Sequence, residues 1–295
     1  MAGSGQIRQL RRRIRSVKST QKITRAMEMI AASRIVKAQR RVQQARPYAE
    51  QITEVIKGLA VSGEVREHPL LRLHEQVPRV AVVVNTSDRG LAGAYNANVL
   101  KVAERTMRDE EAAGREVDLF IIGRKGDGYF SYRGRRARSR WQGISDTPSI
   151  DAAAEVAQTV MDRYADGQYA RVWVVYTDFR SSFVQLPVRM ELLPVKPEEF
   201  AGGREIAPEF IFEPSQQQLL DRLIPRYVEA KVFHSLLESS ASEHAARQRA
   251  MKSATDNASD VAGKLNRVMN QARQDQITTE ISEIVGGAEA LSQGA

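Results

Sequence analysis

The sequence predicts an α/β protein with a coiled coil. The N- and C-terminal segments form a long antiparallel two-helix coiled coil, and between them lies a central Rossmann-like, doubly wound α/β domain. Three observations predict this. Both terminal segments are poor in helix breakers and carry apolar residues at spacings of three and four. The middle alternates short apolar runs with helical stretches, the pattern of a mainly parallel sheet. The order of the segments requires the first helix to end, and the last to begin, at the central domain, so the two leave it side by side and antiparallel.

Residues 1–61 form the first helix. From Gln6 to about Val61 the one proline is Pro47, a candidate bend. Ile7, Leu10, Ile14, Val17, Thr24, Ala31, Ile35, Ala38, Val42 and Ala45 trace a heptad-like stripe, with Ile23, Met27 and Ile30 beside it. The stripe passes from strongly apolar to small and polar, which suits close packing on a partner. Residues 62–76 read as a linker and 77–214 as the α/β domain. Its strand candidates are "PRVAVVVN", "EVDLFIIG", "RRARSRWQ", "RVWVVYTDF", "VRMELLPV" and "EFIFEP", with helices at about 91–113 and 149–165.

Residues 215–295 form the last helix, patterned from Gln216 to about Leu291 with Pro225 as its internal breaker. Val261, Leu265, Val268, Ile277, Ile281, Ile284, Ala288 and Leu291 keep spacings of three and four. At about 1.5 Å per residue the two helices span roughly 84 and 114 Å, so the last overhangs the first by about 30 Å. No helix of this chain is left to cover the apolar stripe of that overhang. Another subunit is expected to enclose it.

Hydrophobic residues make up 42% of the chain and charged residues 27%, which excludes wholesale disorder. There is no cysteine, so a disulfide scaffold, a thiolate metal site and a thiol nucleophile are excluded together. No apolar stretch approaches the roughly 20 residues of a membrane helix. The start, "MAGSGQIRQLRRR", lacks a signal-type apolar segment, so a cytoplasmic protein is expected. The net charge of +8 is unevenly placed: residues 1–46 hold 13 Lys and Arg against the single acid Glu28, which is +12 and leaves −4 for the rest. Such a segment fits an acidic partner, whether nucleic acid, anionic lipid or an acidic protein surface.

"NTSDRGLAGAYN", residues 85–96, follows an apolar strand and leads into a helix, the layout of many nucleotide-phosphate sites. Its Gly90 and Gly93 give G-x-x-G, which matches neither the dinucleotide nor the phosphate-loop pattern, and no Lys follows. The second strand ends in Gly, Arg and Lys where a ribose site needs an acid. A tight turn with close helix-to-strand packing explains the glycines more simply. His68, His74, His234 and His244 lack metal-ligand spacing, there is no G-x-S-x-G elbow, and Glu110 and Glu111 sit on a solvated helix. No catalytic residue, cofactor site or metal site is therefore assigned. The basic segment has the charge for nucleic acid but lacks interleaved aromatics. Arg133, Arg135, Arg136, Arg138 and Arg140 alternate as on an edge strand guarded by charge.

Both terminal helices carry diagnostic strings. "IRSVKSTQKITRAMEMIAASRIVKAQRR" with "RPYAE", and "SEHAARQRAMKSATDNASDVAGKLNRVMNQARQDQITTEISEIVGGAEAL", resemble the terminal helices of gamma subunits of F-type ATP synthases. "SDRGLAGAYN" resembles that family's central-domain turn, where a frequent cysteine is Ala92 here, and "FEP" with "LLDRLIPRYVEAKV" resembles the lead into its last helix. The resemblance implies a non-catalytic rotor shaft, one copy per complex, turning inside a hexamer of alpha and beta subunits that hold the ATP, ADP and Mg. It implies further contacts with the epsilon subunit and the membrane c-ring, a peripheral place on the cytoplasmic face of a bacterial inner membrane, and no role for nucleic acid, the alternative left by composition. It also implies that Lys22, Arg25, Met27 and Glu28 face an acidic loop of the catalytic subunits. Arg247, Arg273 and Gln274 would meet further loops, and Ile277, Ile281, Ile284 and Leu291 would sit in an apolar bearing. The cysteine-bearing insertion of chloroplast gamma subunits is absent.

Overall fold

The computed structural model describes residues 2–60, 68–74, 76–200 and 215–293. The chain divides into two compact units, Ala31–Arg247 and Met1–Ile30 with Gln248–Ala295. Helices α1 (Ala2–Ala60) and α5 (Gln216–Gln293) contribute to both. Pro47 and Pro225 are accommodated within them. The "EFIFEP" strand candidate and the "FEP" string lie outside the described residues, as do residues 62–67 and 75 of the expected linker.

In the larger unit, β1 (Arg79–Asn85), β2 (Glu116–Ile122), β3 (Ala137–Trp141), β4 (Arg171–Phe179) and β5 (Gln185–Leu193) form one sheet of order β3-β2-β1-β4-β5. All pairings are parallel except β4 with β5. The near-continuous valine run of β1 follows from burial on both faces. Ala81 and Val83 face a core with α4 (Ile150–Ala165) and parts of α1 and α5. Val82 and Val84 face a second core with α2 (Tyr95–Ala112) and α3 (Arg124–Tyr132). This is the doubly wound arrangement that alternating strands and helices predict.

Helix α3 was not among the expected elements, because Gly126 and Gly128 disguise it as a loop. Gly126 is required there: a Cβ would stand 2.8 Å from Thr86 Oγ1, which accepts the Gly126 N–H at 2.9 Å. The arginines near β3 take the edge-guard role. Arg135, Arg138 and Arg140 pair with Glu111, Asp118 and Asp127 at 2.7 Å each, and Arg133 lies 3.6 Å from Glu104. Charged, paired side chains along this rim discourage a further strand from adding.

Within this unit α1 and α5 run antiparallel. As α1 advances from Arg34 through Arg41 to Tyr48, the α5 residues across from it recede from His244 through Leu237 to Arg226. His68 caps a 3-10 turn at Pro69–Leu71, its Nδ1 accepting from Leu70 N at 3.1 Å. Burial lowers the His68 pKa from its ordinary value, and Asp221 only partly opposes this. The unfolded chain therefore takes up a proton near pH 6.5 that the folded chain refuses, so this residue costs stability as pH falls through that value. In His68→Asn, which keeps a cap acceptor, the urea midpoint should fall less between pH 7.5 and 5.5 than in the parent. An equal fall would count against a neutral buried imidazole.

In the smaller unit, Ile7, Ile14 and Thr24 of α1 are buried, as the heptad stripe predicts, together with Met251, Thr255 and Ala262 of α5. Thr255 Oγ1 donates to Thr24 Oγ1 at 2.7 Å. The α5 seam differs from the expected one, since Val261 and Val268 are exposed. Small Thr and Ala side chains allow close helix approach, whereas inward valines would hold the pair apart. Beyond the seam, Ile277, Ile281, Ile284 and Val285 are 46–71% exposed. Among the described residues these side chains of the overhanging stripe are uncovered.

Candidate subunit-contact surface

The 86–94 turn fills the crevice at the carboxyl ends of β1 and β2 with its own polar groups. Thr86 donates its N–H and its hydroxyl to Ile122 O, both at 2.8 Å. Leu91 and Gly93 have φ of 62° and 55°, the left-handed conformations that reverse the chain before α2. Asp88, 8% exposed, accepts from the N–H groups of Arg124 at 3.2 Å, Gly143 at 2.8 Å and Ser145 at 3.2 Å. A carboxylate of the chain thus takes amides, including the one at the α3 N-terminus, that a nucleotide phosphate would use in a binding fold.

One and two residues on, at Arg89 and Gly90, the same turn is tied to α5. Arg247 is 7% exposed and ion-paired to fully buried Glu243 at 2.6 Å. Its guanidinium also donates to Gly90 O at 3.3 Å and to Arg89 O at 3.4 Å. Burial raises the Glu243 pKa, and Arg247 pulls it back down. Arg247 Nη1 lies 3.4 Å from His244 Nδ1, which must accept, since Arg is a permanent donor. His244 Nε2 then carries the proton and faces Asp146 O at 3.4 Å. Burial lowers the His244 pKa; Asp146 opposes this and Arg247 adds to it.

The expected contact residues belong to both units, Arg247 to the larger and the others to the smaller. Lys22 and Arg25 are exposed, with Met27 and Glu28 half-buried, on the α1 segment of the smaller unit. In that unit Arg273 and Gln274 are exposed on α5, followed by Ile277, Ile281 and Ile284. The side chain of Leu291 lies outside the described residues. Arg247 alone is engaged internally, by Glu243 and the turn. Asp88, Asp146, Glu243 and His244 went unassigned in the sequence. Asp88 lies in "NTSDRGLAGAYN", where the glycine spacing is the recognisable signal and a lone Asp carries none. Among the described residues no His, Asp and Glu cluster suits a metal ion, and no helix is long and apolar enough to cross a membrane.

A family model described as ATP synthase matches residues 6–291. The ATP synthase gamma chain of a Nocardioides species is 50% identical over 293 residues, covering 97% of this chain and 96% of that one. This chain belongs to the ATP synthase gamma-chain family. The gamma chain of Frankia casuarinae is 49% identical, with 99% of each chain covered. Among solved structures, the central stalk and c-ring of the Tetrahymena thermophila mitochondrial ATP synthase contains a chain 25% identical, with a TM-score of 0.58, covering 79% of this chain and 99% of that one. A chain of the Euglena gracilis mitochondrial enzyme has a TM-score of 0.68 at 19% identity, over 99% and 96%, and supports the fold. The curated relatives are bacterial gamma chains, which agrees with the gamma-subunit resemblance of the terminal helices and not with a nucleic-acid-binding protein.

Proposed function

We propose that this gamma chain is the central rotor shaft of a bacterial F-type ATP synthase, transmitting ring rotation to the catalytic hexamer without catalysing any step itself. The observation that carries this reading is whole-length likeness to chains named ATP synthase gamma chain. In this reading α1 and α5 stand in the cavity of an alpha and beta hexamer, and the α/β domain meets the epsilon subunit and the membrane c-ring on the cytoplasmic face. Nucleotide and Mg are held by alpha and beta, and one shaft serves each complex. Proton flow turns ring and shaft together, and the asymmetric shaft forces the three catalytic sites through states of different affinity.

The exposed cations and small side chains of α1 support this role. A rotating shaft needs contacts that break and re-form, and an exposed ion pair contributes only about 0.2–1 kcal/mol. Lys22, Arg25, Met27 and Glu28 are assigned to the acidic loop of the catalytic subunits, and Arg247, Arg273 and Gln274 to other loops. Ile277, Ile281, Ile284 and Leu291 are assigned to the apolar bearing that would cover the exposed stripe. Co-expression with the cognate alpha and beta subunits should yield a complex that hydrolyses ATP, and failure to form one would remove this reading. Within that complex, Met27→Lys should lower ATP-driven proton pumping more than assembly or hydrolysis. Equal loss of all three would deny Met27 a transmission role.

A further inference from the structure

Three separate pieces of the larger unit converge on Asp146, in the loop between β3 and α4. Arg34 of α1 donates to its Oδ2. Arg89 Nη1, from the turn after β1, lies 4.0 Å from the same oxygen. From α5, Ser240 Oγ donates to the Asp146 carbonyl at 3.1 Å, and His244 Nε2 lies 3.6 Å from Oδ1. We propose that Asp146 is a positioning residue for rotation, a clasp that locks α1 and α5 to the sheet domain so that torque passes between them. The proposal rests on the rotor reading above.

Two observations give the clasp its mechanical role. Ile52, Ile56 and Leu59 of α1 share a core with Ile224, Val228 and Val232 of α5 and with one face of the sheet. Burial of this kind is non-directional and opposes separation better than it opposes sliding. At the level of Asp146 that core gives way to a cavity of about 230 Å³, lined by Arg34, Lys37 and Arg41 on one side and by Leu237, Ser240 and His244 on the other. Across this gap Asp146 takes a charge-assisted bond from Arg34 of α1 on its carboxylate and a bond from Ser240 of α5 on its main-chain carbonyl, directional contacts that do resist twist.

The clasp is itself anchored. Ser145 gives its N–H to Asp88 Oδ2, and its hydroxyl accepts from Asp88 N at 2.9 Å. Three residues after Asp146, Ser149 caps α4, accepting from Ala152 N at 3.1 Å. One short loop is therefore fixed to the β1 turn on one side and to a helix start on the other.

The test uses the complete synthase in sealed vesicles, with ATP hydrolysis and ATP-driven proton uptake read on the same preparation. Asp146→Ala and Arg34→Gln should each leave hydrolysis within about twofold of the parent while protons moved per ATP fall about threefold or more. The double variant should be no worse than either single, because both break one path. Lys37→Gln, which lines the cavity without touching Asp146, should change neither readout. An unaltered pumping ratio in Arg34→Gln and Asp146→Ala would overturn the clasp, and so would an equal fall in Lys37→Gln. If Asp146→Ala prevents assembly, Arg34→Gln and the milder Asp146→Asn decide by the same ratio. Absence of hydrolysis with the unmodified chain would instead remove the rotor reading.

Discussion

Arg247→Ala should destabilise the chain by about 3–5 kcal/mol, because it leaves a fully buried carboxylate without its counter-charge. Glu243 is 0% exposed, and its ion pair with Arg247 is 9% and 1% exposed at the two side chains, so solvent cannot take over the lost partner. Burial already favours the protonated acid, and removal of Arg247 strengthens that preference. The variant should therefore be less impaired at low pH than at neutral pH. Urea unfolding at pH 5 and pH 7.5 measures this. Glu243→Leu with Arg247→Met should recover most of the loss, since similar-sized apolar groups replace the whole pair. A double variant as weak as Arg247→Ala would place the stabilisation in the contacts to Arg89 and Gly90 instead.

Gly123→Ala should cost at least about 4 kcal/mol, in the range reserved for steric failure at a special backbone position. The glycine has φ +91°, and a Cβ there would stand 2.2 Å from Thr86 O. That oxygen cannot retreat easily, since the Thr86 N–H and hydroxyl are both bonded to Ile122 O. Gly143 is the control. Its φ is +83°, but nothing lies within 4 Å of the added Cβ, so Gly143→Ala should cost only about 1–2 kcal/mol. Similar unfolding midpoints for the two variants would show that backbone conformation, and not the clash, sets the cost.

How much could be read from the sequence varied with the range of the interactions involved. The heptad stripe of α1 was legible because burial repeats along one helix, and Ile7, Ile14, Ala31, Ile35 and Ala38 are buried as that repeat requires. The valine run of β1 was legible because only a two-faced sheet accepts it. The α5 seam departs from the apolar spacing of Val261 and Val268 because close packing selects the small Thr255 and Ala262. Helix α3 is hidden because its Gly126 answers to Thr86, 40 residues away, and not to local propensity. Asp88 and Asp146 were invisible for a similar reason. Their partners lie between 36 and 112 residues away in the chain and are brought together only by folding, and no spacing rule encodes such a meeting.

The bare isoleucines near the end of α5 carry a consequence for the cell as well as for the machine. A chain that displays Ile277, Ile281 and Ile284 to water is sticky until it is enclosed. Its solubility therefore depends on stoichiometry. Made in excess of the rest of its complex, it would self-associate or be held and cleared by chaperones and proteases. A pulse of unpartnered synthesis should show a shortened lifetime that Ile281→Gln with Ile284→Gln lengthens.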